Sequence, residues 1–127
     1  MTKIEYARQD GLLHNAAFSQ AVIASGTRTI HTAGQVSIDG RGAPVGAGDL
    51  AAQTAQAMRN FGLALAAAGA AFADVVKITT YVSDYRPEHR TVIGQARAPF
   101  FAGRTPPPGS RRRKGGKGAV PRLVRSA

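Results

Sequence analysis

Between Asp49 and Tyr85 the apolar positions follow two different periods. Leu50, Thr54, Met58, Phe61 and Leu65 recur at spacings of four, four, three and four, which puts them on one face of a 3.6-residue helix. Asp49 can cap that helix, because its carboxylate accepts from free first-turn amides, and Gly69 can end it by tolerating a left-handed exit. After Asp74, read as a turn residue opening a strand, comes the run Val75, Val76, Lys77, Ile78, Thr79, Thr80, Tyr81, Val82. Its β-branched and aromatic content predicts a strand rather than a second helix.

The flanking segments extend this pair. Lys3 to Arg8 reads as a short strand and Asp10-Gly11 as a turn. Ala21 to Ser25 and Thr29 to Ala33, separated by Gly26-Thr27-Arg28, predict a hairpin, with Gly34 to Ile38 continuing its second strand. Asp39-Gly40-Arg41-Gly42 reads as a turn. A second helix is expected after Tyr85, with Pro87 in its first turn and Val92, Ala96 and Phe100 at four-residue spacing. Pro99 requires that helix to end near Ala98 or to kink there. Two helices on one face of a mixed, mostly antiparallel sheet form an α+β domain. The other sheet face has no cover within the chain, which predicts self-association.

Length and composition narrow the class. A chain of 127 residues supports one core. It contains no cysteine, so disulfides and thiol chemistry are excluded. Charges across Met1 to Asp10, and no apolar run near the roughly 20 residues of a membrane span, predict a cytoplasmic protein without membrane partners. The net charge of +10 is uneven: residues 1–103 carry nine Lys or Arg against seven Asp or Glu, while Arg104 to Ala127 carries eight basic residues and no acid. The basicity belongs to the tail, and Arg111 to Gly118, without apolar periodicity, reads as a flexible charged segment. Only Ala119 to Val124 suits a short strand, held to a sheet edge by Pro121.

The residues offer little independent chemistry. His14, His31 and His89 are widely spaced, whereas zinc needs three or four converging ligands, so no metal is expected. No Gly-x-Ser-x-Gly elbow or phosphate loop occurs. Ser19 has no neighbouring histidine to activate it, and Lys77 alternates with apolar neighbours as a solvated or subunit-facing residue would. The basic tail could neutralise phosphates. It lacks aromatic residues for base stacking, which argues against nucleic acid as a partner.

Four stretches change the picture: Phe18-Ser19-Gln20-Ala21-Val22, Thr32-Ala33-Gly34-Gln35-Val36, Gly48 to Thr54 (GDLAAQT) and Asp74 to Val82 (DVVKITTYV). In order and spacing they resemble the successive signatures of the Rid/YjgF family of reactive-intermediate deaminases (endoribonuclease L-PSP-like), over roughly residues 3 to 107. The resemblance implies a chorismate-mutase-like α+β fold assembled as a homotrimer, with small-metabolite clefts between subunits. It also implies hydrolysis of enamines and imines to a keto acid and ammonia, of the 2-iminobutanoate/2-iminopropanoate deaminase type, without cofactor or metal. An imine carbon is already electrophilic, so a charge anchor and one oriented water suffice.

Carried over position by position, the resemblance assigns ligand-binding places to Phe18, Gly34 and Gly94. Phe18 stands where an aromatic residue, usually tyrosine, lines the pocket; core packing is the alternative. Gly34 offers a backbone amide, and Gly94 stands approximately where the deaminating branch has an asparagine. The substrate-anchoring arginine motif is replaced by Arg104 to Ser110 (RTPPPGS), and the glutamate expected on the last strand has no counterpart after Glu88. No catalytic residue is therefore assigned. The chain divides into a Rid/YjgF-like domain, residues 1–107, and a basic Gly/Arg-rich tail, residues 108–127. That tail's Arg, Gly, Pro and Ala content suggests a GC-rich gene read out of frame from near Pro107 or Pro108, in place of the last family strands. Two functions remain: an imine deaminase impaired in this chain, or a non-enzymatic trimeric module that binds a small metabolite. An RNA-associated role through the tail is a third.

Overall fold

The computed structural model describes residues 3–7, 9–13, 19–103, 109–114 and 122–124. Strands β1 (Lys3–Ala7) and β2 (Ala21–Ser25) form an antiparallel pair, with Tyr6 opposite Val22 and Ile4 opposite Ala24. This differs from the expected hairpin. Ala21–Ser25 takes its partner from the chain start, and residues 28–34, including His31, are irregular. The observed register aligns the half-buried Ile4, Tyr6 and Val22 on one side, gathering apolar surface there.

Helix α1 (Leu50–Ala67) follows its periodicity. Asp49 Oδ1 accepts from Ala52 N at 3.0 Å, and Thr54, Ala57, Met58, Phe61 and Leu65 are buried. Its end is a Schellman arrangement: Gly69 N donates to Ala66 O and Ala70 N to Leu65 O, with Gly69 at φ +74°. A 3-10 turn, Phe72–Asp74, then precedes the strand. Asp74 closes this turn by accepting from Ala71 N at 2.9 Å, and β3 (Ile78–Ser83) starts later than the β-branched run suggested. Val75 is nevertheless buried, at 2% exposure.

Helix α2 (His89–Arg97) begins after Pro87, whose carbonyl accepts from Arg90 N, so the proline lies in the preceding turn. Pro99 ends α2, and Ala98–Phe101 tightens into a 3-10 turn. Ile93 and Phe101 are buried, whereas Val92, Ala96 and Phe100 are half-buried. Phe72 joins the layers, its ring 5.4 Å from Phe61, 5.6 Å from Phe100 and 5.5 Å from Phe101. These edge and tilted contacts are favoured by the ring quadrupoles.

In the second sheet β3 is central, flanked by β4 (Gly109–Lys114, parallel) and β5 (Arg122–Val124, antiparallel). Ile78, Thr80 and Val82 on β3 are buried, while Thr79, Tyr81 and Ser83 are half-buried. The strand formed by Gly109–Lys114 corrects the expectation of a flexible segment over Arg111–Lys114. Ladder hydrogen bonds are made by backbone groups, and the edge of a central buried strand must be satisfied whatever side chains the neighbour carries. Antiparallel β5 falls within the short strand foreseen at Ala119 to Val124.

Candidate functional site

The positions singled out by resemblance sit on different kinds of structure. Gly34 is exposed and directly precedes a segment fastened to α1. Asn60 Nδ2 donates to Val36 O at 2.9 Å and to Ile38 O at 2.8 Å, so one helix side chain fixes the backbone beyond Gly34. Gln56 Nε2 in turn donates to Asn60 Oδ1 at 3.0 Å. Ser37 is buried at 1% exposure, its hydroxyl donating to Val45 O at 2.6 Å while Val45 N donates to Ser37 O. Between these anchors Asp39 Oδ1 accepts from Arg41 N and Ala43 N, making Asp39 to Gly42 the expected turn.

Gly94 is half-buried in α2, and a Cβ there would meet no atom within 4 Å. Its missing side chain therefore leaves open space rather than permitting a close contact. Phe18 and His14 lie outside the described residues. His89 Nδ1 accepts from Arg86 N at 3.1 Å, so that nitrogen organises the entry to α2. Among the described residues no three His, Cys, Asp or Glu gather as a metal site, and no helix is long and apolar enough to cross a membrane. Asn60 and Ser37 were not singled out by sequence. An asparagine two positions after Met58 and a serine in a loop carry no spacing signal, since their partners are carbonyls 22 and 24 residues away for Asn60 and eight for Ser37.

Two helices on a mixed sheet, with a glycine-containing segment clamped against the first helix, define an α+β protein of the chorismate-mutase-like type. Residues 9–109 match the family described as Endoribonuclease L-PSP, and the chain belongs to that family, the Rid/YjgF proteins. Its backbone is similar to YyfB of Yersinia pestis, a Rid-family protein of unknown function, with TM-score 0.90 and 30% identity over 98% of this chain and 97% of that one. Rv2704 of Mycobacterium tuberculosis, of the YjgF/YER057c/UK114 family, is 28% identical with TM-score 0.63, covering 86% of this chain and 84% of that one. Among curated proteins, the 2-iminobutanoate/2-iminopropanoate deaminase of Rattus norvegicus is 40% identical over 68 residues, 54% of this chain and 48% of that protein. The human protein of the same name is 39% identical over 67 residues, 53% of this chain and 47% of that protein. The aligned stretch spans about half the length of these curated relatives.

Proposed function

We propose that this chain carries a Rid-type small-metabolite site, evolved for hydrolytic deamination of enamine and imine intermediates, whose turnover is impaired here. The observation that carries the reading is the family match over residues 9–109 combined with a stretch from His89 to Ala127 that contains no carboxylate side chain. Deamination of an imine requires water to add to the imine carbon and ammonia to leave. A keto acid remains. Gly34 and Gly94, with Phe18, would shape the crevice, and neighbouring subunits of a homotrimer would complete it. The groups that would anchor the substrate carboxylate and orient the water are the ones this chain lacks. The alternative is a trimeric module that binds the metabolite without turnover.

Ammonia release from enzymatically generated 2-iminopropanoate separates the two. Loss of an acid-base group costs about 10²–10⁴-fold, so turnover is expected to fall at least about 10²-fold below that of an intact family deaminase, while binding of the keto acid 2-oxobutanoate, weakened by the missing carboxylate anchor, stays saturable. A rate equal to the intact enzyme's would reject impairment. Neither turnover nor binding would reject the site. The out-of-frame reading of residues 108–127 has its own check: translating the other two frames of the coding DNA should restore an alternating strand ending in acidic residues, and failure in both frames refutes it.

A further inference from the structure

We propose that the cleft between the end of β2 and the segment following α1 is a second small-molecule site, taking an apolar α-amino acid in its zwitterionic form. The cleft encloses about 440 Å³, and neither Gly34 nor Gly94 lines it, so it does not depend on the deaminase reading. A volume of that size falls within the roughly 300–1,000 Å³ of small-ligand sites.

The lining separates by chemistry. Leu65 and Val75, each 2% exposed, belong to the core and present an apolar wall, to which the half-buried Ile30 and Val76 add. Arg28 also lines the cleft, exposed, and its guanidinium makes no ion pair or hydrogen bond among the described residues. It is a planar fork suited to a carboxylate.

The lining also carries the reverse polarity. Asp74 spends Oδ2 on Ala71 N, leaving its second oxygen with no partner among the described residues. It stands beside Gly69 and Ala70 at the C-terminal end of the 18-residue α1, where the aligned peptide dipoles place partial negative charge. A carboxylate and a helix C-terminus together favour an ammonium and disfavour a phosphate. A guanidinium, a carboxylate and apolar side chains lining one cleft match the three parts of an amino acid such as leucine, whose two charged groups share one carbon and whose side chain leaves it in another direction. A plain fatty acid would use only Arg28, and an alkylamine only Asp74.

Calorimetric and NMR titration of the full chain with L-leucine tests this, alongside 4-methylpentanoate, which lacks the ammonium, and 3-methylbutylamine, which lacks the carboxylate. Leucine is expected to bind saturably at millimolar concentration, and each analogue about tenfold or more weakly, because each loses a charge-assisted contact. Arg28→Gln and Asp74→Asn are each expected to weaken leucine binding by a similar factor; asparagine keeps an oxygen for Ala71 N. Resonances of Ile30, Leu65 and Val75 should shift while Gly94 stays still. Absence of saturable leucine binding would overturn the proposal. So would analogues binding as well as leucine, binding indifferent to both substitutions, or shifts centred on Gly94. Deaminase activity is read separately, so neither result decides the other.

Discussion

Phe61→Ala should lower the unfolding free energy by about 3–5 kcal/mol, the usual cost of deleting a buried aromatic ring. Phe61 is 2% exposed and stands on the face of α1 that also buries Ala57, Met58 and Leu65. Its ring makes an edge contact with Phe72, which in turn touches Phe100 and Phe101, so truncation opens a cavity where α1 meets the 3-10 turns that follow the two helices. A domain of this size has about 5–15 kcal/mol in total. The variant is therefore expected to unfold at markedly lower urea, with its denaturant slope little changed. Leu63→Ala on the same helix provides the contrast, because Leu63 is 70% exposed and its loss should fall within about 0.5 kcal/mol. Equal midpoints for the two variants would mean that this face of α1 does not form the core.

Gly46→Ala is expected to cost about 2–5 kcal/mol, combining about 1–2 for a left-handed backbone with about 1–3 for overpacking. Gly46 has φ +71°, and a Cβ there would stand 2.8 Å from Ala52 Cβ and 3.3 Å from Gln53 N. Its carbonyl also accepts from Gln53 Nε2 at 2.9 Å and from Asp49 N at 3.0 Å, so the chain cannot swing away without releasing the start of α1. Gly48→Ala isolates the backbone part, since φ is +74° but no atom lies within 4 Å of the added carbon. Denaturation of both variants should show the Gly46 loss exceeding the Gly48 loss by at least about 1 kcal/mol. Equal losses would show that Ala52 yields freely and that the close approach carries no cost.

The consequence of Gly46 reaches toward the candidate site. Gly46 ends the loop whose other anchors are Ser37 with Val45 and Asn60 with the carbonyls of Val36 and Ile38. Strain at Gly46 should therefore loosen the segment just beyond Gly34 before it melts the helix.

The periodic residues of α1, its Asp49 cap and its Gly69 exit were legible in sequence because each acts through neighbours within one or two turns. The break at Pro99 was legible for the same reason. The α+β class followed from the order of these elements, and family signatures added its chorismate-mutase-like type, through residues at Phe18, Gly34 and the runs beginning at Gly48 and Asp74. The partner of β2, the Asn60 clamp and the pairing of Gly109–Lys114 with β3 were decided only in three dimensions. Strand pairing joins backbone groups far apart in the chain, and a strand with no apolar alternation is accepted where an open edge offers hydrogen bonds. The cleft lined by both Arg28 and Asp74 is of the same kind, since nothing local relates a turn after β2 to the turn after α1. Sequence by itself determined the elements whose stabilising contacts are short-range; the tertiary structure decided which distant surfaces meet, because that choice depends on total burial rather than on any one residue's neighbours.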